Sequence, residues 1–458
     1  MASNIELYLS RMLGEDVETP SPFSRIELQL ARLLGEDVEC PAPQSRVEAL
    51  LEKLNENGLS GGGSNVKGIA EWTKIEGLTN VISVDYGNGL WVAACGVNGI
   101  YYSEDGINWS KAQIYGSALG EGFDYNCVNS VKYNGSAWVA GGYQDSSVDT
   151  DGDGYSDYCE RYPCVFTTKD GKKWYAYMFD MDVSGLAAVD GLYYNNGVWH
   201  ATLYIAVSGS YVAYYSESVD GTGGWGSCTG ASFYDGHGRI QYINGVWYLT
   251  TDSAFHKSTD GKSWTKVYNH DSYNGLDCIF GSDIWVVVDY CNGTVVWSKD
   301  LSTWTPVSGL SFTSNLWIHY VDGVWLANES YTGMRYSVNG KDWYVALSSE
   351  YETSLVYTDG LFYARKEYEG GTLPEYYTSK VGLVWEESSI TNLPTKMFKI
   401  KNRYVCTISG GLFYSDDGYT WTETNITSGA NTGSIITNGS VAIFYNRNYN
   451  YILVSKLS

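Results

Sequence analysis

Apolar positions fall into two regimes along the chain. In the first sixty residues they recur at helical spacing, as Ile26, Leu30, Leu33 and Leu34 and again as Val47, Leu50, Leu51 and Leu54. Each such run opens with Ser followed three residues later by Glu, the pattern of a capping box at a helix start: Ser3 with Glu6, Ser24 with Glu27, Ser45 with Glu48. The copies recur every 21 residues, counted from Ser3 to Ser24 to Ser45. Gly14 and Gly35 end the first two helices and Gly58 lies just past the third, while Pro20, Pro22, Pro41 and Pro43 stiffen the links. Helices of about three turns do not persist in water without packing. Their stripe therefore needs neighbouring helices, other copies of the chain, or a foreign surface. Tandem short repeats on Pro-rich spacers favour docking over a self-contained bundle. Ser60-Gly61-Gly62-Gly63-Ser64 reads as a flexible linker. The predicted organisation is a docking or oligomerisation segment at 1–59, a linker at 60–66 and a body at 67–458.

From Glu71 onward the apolar runs are short, Trp-rich and bounded by turns. One turn is Asn-Gly or Asp-Gly followed by an apolar strand, as in Asn88-Gly89-Leu90-Trp91, Asn196-Gly197-Val198-Trp199, Asn244-Gly245-Val246-Trp247 and Asp322-Gly323-Val324-Trp325. Further copies stand at Asn134-Gly135, Asp359-Gly360 and Asn438-Gly439, with weaker ones at Ser282-Asp283 and Asn402-Arg403. These pairs are the preferred two-residue hairpin turns. The second turn is Ser/Thr-x-Asp-Gly-x-x-Trp, complete at Ser103–Trp109, Thr168–Trp174, Ser258–Trp264 and Ser415–Trp421. Ser298–Trp304 carries Leu301 in the Gly place, Ser337–Trp343 carries Asn339 in the Asp place, and looser copies end at Trp225 and Trp385. A short carboxylate here accepts backbone N–H groups, Gly supplies a conformation other residues resist, and Trp anchors the next strand.

Each unit thus reads strand, hairpin, strand, variable loop, strand, Asp-Gly turn, strand, in about 40 residues, the unit of a propeller blade. Nine first hairpins are countable, with eight as the fallback if one unit is miscounted. After the last, Tyr451–Ser455 is a third strand with no fourth; Glu71-Trp72-Thr73-Lys74 supplies it from the other end of the body and closes the ring. The predicted fold is all-β, a multi-bladed β-propeller preceded by short α-helices.

Charge narrows the partners. Asp and Glu number 52 against 29 Lys and Arg, a net −23, which argues against nucleic acid and anionic membranes. No apolar run is long enough to span a bilayer, and the start Met1–Glu6 lacks the regions of a secretory signal. The cysteines, nine in number, show no metal-ligand spacing and read mostly as buried free thiols; Cys159 and Cys164 are close enough in sequence to pair under oxidising conditions.

The Ser-x-Asp-Gly-x-x-Trp units resemble Asp-box (BNR) repeats, and the body from about residue 65 resembles Asp-box propellers. That group includes sialidases, photosystem assembly factors, sorting receptors and virion or cell-surface binding proteins. The resemblance implies that Asp105, Asp170, Asp260 and Asp417 are structural, on the ring's outer part. The run Pro43-Gln44-Ser45-Arg46-Val47-Glu48-Ala49-Leu50-Leu51 resembles short helices that precede the fibre or adhesin domain of certain bacteriophage virion proteins.

The sharpest candidate site is Asp149–Glu160, which matches the twelve-position calcium loop D-x-D-x-D-G-x-x-D-x-x-E. Asp149, Asp151 and Asp153 offer carboxylates, Gly154 the sharp turn, Tyr155 its carbonyl, Asp157 a direct or water-mediated contact and Glu160 a bidentate carboxylate. The alternative is an acidic surface turn. Its flanks read as strands, placing it between the second and third strands of the second blade, where calcium would order a long loop. Catalytic candidates are weaker. Arg239, Arg335 and Arg403 lie in separate units with no Arg-Ile-Pro signature before the first box. Glu386-Glu387 and Glu350 with Glu352 are carboxylate pairs of the kind a glycosidase needs, but in an acidic chain they read as solvated charges. His200, His237, His256, His270 and His319 show no metal spacing, and His270-Asp271 reads as a loop. Tyr-rich stretches at Tyr211–Tyr215, Tyr351–Tyr357, Tyr368–Tyr377 and Tyr445–Tyr451 supply flat rings that stack on sugars where they are loops and fill the core where they are strands.

Three readings follow. The favoured one is a bacteriophage virion fibre or receptor-binding protein, made in the host cytoplasm, fastened to other virion proteins by residues 1–59 and showing its propeller to host-surface glycan. Homo-oligomerisation is open. The alternatives are a sialidase-like glycoside hydrolase and a purely structural decoration protein.

Overall fold

The computed structural model describes residues 69–457 except 117–122, 149–157, 180–186, 206–209, 219, 222–223, 235–238, 252–253, 270–275, 290–293, 311–315, 322, 330–332, 348–352, 359–360, 367–374, 380–381, 388–395, 402 and 431–432. The predicted helical segment and linker lie outside the described residues, which contain strands and turns and no α-helix.

The strands assemble into nine sheets: eight have four antiparallel strands, and the second adds to its four a fifth, Gln113–Tyr115, paired in parallel with Lys173–Met178. The first blade is Ser83–Gly87, Leu90–Ala94, Ile100–Ser103 and Ser110–Lys111. The next seven blades begin with Phe123–Tyr133, Ala187–Asn195, Arg239–Ile243, Leu276–Gly281, Leu316–Val321, Thr353–Thr358 and Lys396–Ile400. The ninth is composite: Ser434–Thr437, Val441–Tyr445 and Tyr451–Lys456 are completed by Thr73–Glu76, with Thr73 opposite Val454. The predicted count of nine is found, and the ring closes from the other end of the body as predicted, but through Thr73–Glu76 rather than Glu71–Lys74, with Trp72 held just before the strand. Trp72 and Asn425 lock the seam: the Trp72 amide donates to Asn425 Oδ1 at 2.8 Å, and Asn425 Nδ2 donates back to the Trp72 carbonyl at 2.8 Å.

The core is divided among the joints between blades. Val84, Trp91 and Ala93 of the first blade pack with Ile443, Ile452 and Val454 of the ninth. The first and second blades share Val92, Val128 and Trp138, and equivalent clusters fill the remaining seven joints. A blade cannot bury both its faces alone, so stability comes from stacking neighbours around a closed ring.

Two turn chemistries repeat between strands. Asn88, Asn196 and Asn244 have φ of 50°, 46° and 51°, and their Gly partners 75°, 78° and 84°, the double positive φ of a two-residue hairpin. Ser282 and Asp283 hold the same shape at 48° and 60° without glycine. Asn134 and Asn438 differ from the expected two-residue form. Each accepts the amides two and three residues on through its side chain, and its own amide donates to the carbonyl of Ala137 or Val441, so the loop closes over four residues.

At the Ser-x-Asp-Gly-x-x-Trp turns, Ser258 Oγ donates to Asp260 Oδ1 at 2.8 Å and accepts the Gly261 amide at 2.9 Å. Asp260 Oδ1 also accepts the amides of Lys262 and Ser263 at 2.8 Å each. The same set recurs at Asp105, Asp170, Asp300, Asn339 and Asp417. Backbone N–H donors hold the Asp105, Asp260 and Asp300 carboxyls well below the usual carboxylate range. Each turn connects the third and fourth strands of its blade.

The cysteine pairing is not formed. Cys159 and Cys164 both lie on the strand Tyr158–Thr168, opposite Ser147 and Gly142. Five residues of extended chain separate their backbones by about 17 Å, far beyond the reach of a disulfide. Cys164 is a buried free thiol, as are Cys95, Cys127, Cys228, Cys278 and Cys406.

Candidate binding face and central channel

An up-and-down order of strands sends connections to two faces. First-to-second and third-to-fourth connections leave one face; second-to-third connections and the links between blades leave the other. The first face carries only the hairpins and the Asp-Gly turns already described. The second carries everything variable, from two residues at 409–410 to nine at 149–157 among the second-to-third connections. Variable loops on a rigid scaffold are where binding groups gather.

The second blade stands highest on this face. Phe123–Tyr133, Trp138–Val148 and Tyr158–Thr168 are 11 residues each, against five for Arg239–Ile243 in the fourth blade. Six extra residues add up to about 20 Å of strand. Asp149, Asp151, Asp153, Tyr155 and Asp157 lie outside the described residues, as does the side chain of Glu160, whose backbone pairs with Ser146. Their segment joins two paired strands, closed by Val148 opposite Tyr158, which is the predicted position and the predicted strand-like flanking. Below the mouth of this hairpin, Arg161 lies over the Tyr143 ring at 4.6 Å and donates through Nε to Asp145 Oδ1 at 3.1 Å.

First strands of successive blades touch at six of the nine joints, including Ser434–Thr437 with Ser83–Gly87 across the closure, so the first strands are the inner ones and line the central channel. Counted back from the hairpin, the fifth residues of the fourth, fifth, sixth and eighth blades are Arg239, Asp277, Trp317 and Lys396. The fourth residues, Ile240, Cys278, Ile318 and Met397, are buried in the joint with the preceding blade. Alternation along a strand therefore turns the fifth residues to the other side of the sheet, toward the following blade, at the variable-face end of these inner strands.

These side chains are linked across blades. Arg239 Nη2 donates to the Cys278 carbonyl at 2.7 Å and to Asp277 Oδ1 at 3.3 Å. Asp277 acts electrostatically on His319 of the sixth blade, and the His319 ring meets Tyr357 of the seventh edge-on at 5.3 Å. Burial raises the Asp277 carboxyl, partly offset by Arg239, and lowers His319, so the imidazole is neutral near pH 7. Trp317 is 55% exposed, although Leu316 and Ile318 beside it are buried.

The other sequence candidates do not assemble. Arg239 is on a first strand, Arg335 on a third and Arg403 on a second beside Asp416, so these arginines sit at different depths in the blades and do not converge. Glu386 and Glu387 form the exposed outer strand of the seventh blade, away from the channel. Glu350, Glu352, His270 and Asp271 lie outside the described residues. Tyr211–Tyr215 is not a loop but part of a third strand, with Tyr214 buried, and Tyr376 likewise fills a core. Tyr449 and Tyr451 do sit at the variable face, stacked at 5.2 Å with planes 3° apart. The channel-wall set was not singled out by sequence. Its signal is the shared count from the hairpin, visible once the blades are aligned on that turn.

No protein-family profile matches the chain, and no curated protein sequence matches it. Solved structures similar to it include the computationally designed Ika8 protein, 11% identical, covering 77% of this chain and 98% of that one with a TM-score of 0.39. YCF48 from Cyanidioschyzon merolae is 8% identical, with 84% and 98% coverage and a TM-score of 0.37. BamB from Moraxella catarrhalis is 10% identical, with 72% and 93% coverage and a TM-score of 0.39. At these identities and scores nothing about activity transfers, and the count of nine blades rests on the chain's own sheets.

Proposed function

We propose that this protein is a bacteriophage virion-associated adhesin: its N-terminal helices dock it to other virion proteins, and its propeller binds host-surface glycan. The observation that carries the binding reading is the segregation of connections. All variable loops and the channel mouth with Trp317, Arg239 and Asp277 share one face, and the opposite face is built from repeated structural turns. The recurrent hydrogen bonds of the Ser-x-Asp-Gly-x-x-Trp turns support reading the body as an Asp-box propeller. Capping boxes at Ser3, Ser24 and Ser45, with their Pro-rich spacers, support the docking segment.

The reading includes a calcium ion at Asp149–Glu160, held by Asp149, Asp151, Asp153, Tyr155, Asp157 and Glu160 and ordering the tallest hairpin of the variable face. Its role is structural. Titration with calcium should raise the melting temperature, chelator should reverse the shift, and Asp151→Asn should abolish it. Glycan arrays with the purified full chain test the adhesin reading, alongside a reducing-sugar release assay. Saturable binding without release supports it. Release that one carboxylate substitution removes would instead make the protein a hydrolase, and unchanged particle adsorption after deletion would make it a decoration protein.

A further inference from the structure

We infer that the channel wall across the fourth to sixth blades is a saccharide site, in which a neutral pyranose stacks on Trp317 and the Arg239–Asp277 pair takes its hydroxyl groups. This rests on the glycan-binding reading above and assigns its place and its sugar class.

Three observations converge. Trp317 presents 55% of its surface on a first strand whose adjacent residues, Leu316 and Ile318, are 0% and 3% exposed. The fold gains nothing from leaving an indole in solvent there. A flat, exposed apolar face fits the C–H face of a sugar ring. The polar groups are also fixed beforehand. The Cys278 carbonyl and Asp277 Oδ1 both hold Arg239 Nη2, yet the two side chains keep 48% and 30% of their surface exposed. Arg239 thus offers its remaining N–H donors, and Asp277 its oxygens, in one geometry, which spares the ordering cost of binding. Beneath them His319, two residues along the strand from Trp317, leans on Tyr357 and feels Asp277, so the floor of the site is shared by three blades.

Charge selects the sugar. The Arg239–Asp277 pair sums to zero, and the chain as a whole carries −23, which disfavours the approach of an acidic sugar. Neutral hexoses and N-acetylhexosamines meet no such penalty.

The test uses the full chain and the methyl glycosides of glucose, galactose, mannose and N-acetylglucosamine with their short oligosaccharides, read by tryptophan fluorescence and saturation-transfer NMR. Sialic acid and glucuronic acid serve as the acidic arm. At least one neutral sugar should bind saturably. Trp317→Ala should weaken it about tenfold or more, the scale of one stacking contact. Trp317→Phe should retain most of the affinity, and Tyr344→Ala, an exposed ring on the outer rim, should change nothing. Undiminished binding in Trp317→Ala overturns this site while leaving the glycan reading intact. Preference for the acidic sugars overturns the neutral class. Binding of no sugar in either arm overturns both the site and the reading it rests on. Circular dichroism of Trp317→Ala guards against misfolding, which the exposure of the side chain makes unimportant.

Discussion

The imidazole Nε2 of His200, in the third blade, lies 2.7 Å from the carbonyl oxygen of Gly261, in the Asp-Gly turn of the fourth. A carbonyl only accepts, so Nε2 carries the proton and Nδ1, buried with no hydrogen-bond partner, is bare. The ring packs against Trp247 at 4.3 Å and Trp264 at 6.0 Å. Burial pushes His200 down to about 4, and His256 in the fourth blade is likewise pushed down to about 4.

Acid should therefore loosen this joint before it reaches the carboxylates. Both histidines titrate near 6.5 when unfolded, so between there and about 4 the unfolded chain binds more protons and stability falls as pH falls. The contribution is complete above pH 6.5 and lost toward 4, with a slope of at most about 1.4 kcal/mol per pH unit for each histidine. Urea midpoints at several pH values measure it. His200→Gln should reduce stability by about 1–3 kcal/mol at pH 7 and flatten the slope. An unchanged slope in His200→Gln would show that the imidazole does not carry it.

Glycine at the two kinds of turn serves different ends, and alanine should separate them. At Gly261, with φ of 73°, a Cβ would stand 3.0 Å from His200 Nε2 and 3.1 Å from Trp247 Nε1. At Gly245, with φ of 84°, it would meet nothing within 4 Å. Gly245→Ala should cost only the backbone term, about 1–2 kcal/mol. Gly261→Ala adds the clash with two rings and should cost about 1–3 kcal/mol more. Equal losses in chemical denaturation would mean that the joint between blades yields freely.

What was legible in the sequence follows from what repeats locally. Asn244-Gly245 and Ser258–Trp264 state their turns outright, so the strand order, the count and a closing strand from the other end of the body, read at Glu71–Lys74 and found at Thr73–Glu76, were legible without any long-range information. Arg239, Asp277 and Trp317 could not be read so, because each occupies an ordinary strand position and only closure of the ring sets them side by side. Tyr211–Tyr215 misleads for a related reason: tyrosine suits both a solvated loop and a half-buried strand, and pairing with Trp199–Ile205 decides between them. Cys159 and Cys164 look pairable by spacing alone until the extended strand between them fixes their distance.

The seam should be the ring's most sensitive point. Trp72 is 2% exposed, packs with Val405, Leu412, Phe444 and Leu453, and donates its indole N–H to the Ile69 carbonyl at 2.8 Å. Trp72→Ala removes a buried aromatic where two ends of the chain meet and should cost about 3–5 kcal/mol. Removing residues 69–76 also bares the edge of Tyr451–Lys456, so that variant should aggregate where Trp72→Ala merely melts earlier. Light scattering alongside thermal melts distinguishes the two outcomes.

The outer edges of the blades are guarded unequally. Lys111, Lys266, Pro306, Glu386, Glu387, Glu423 and the pair Lys74 and Glu76 stand on the fourth strands of their blades, and Gln113–Tyr115 covers that of the second. The third blade's Gly226–Tyr234 is uncharged, but small residues fill its start and Thr229 bridges to Ser263. Among the described residues, Tyr344–Leu347 of the sixth blade is the outer strand that pairs no charge or proline with an apolar surface: Tyr344 is 55% and Val345 54% exposed. An uncharged apolar edge is a template for pairing with another chain. Concentrated protein should therefore self-associate through this strand, and Val345→Lys should suppress that with a change in stability of about 0.5 kcal/mol or less. Sedimentation velocity over a concentration series reads the effect. Identical association in Val345→Lys and the unaltered chain would place the contact elsewhere on the ring.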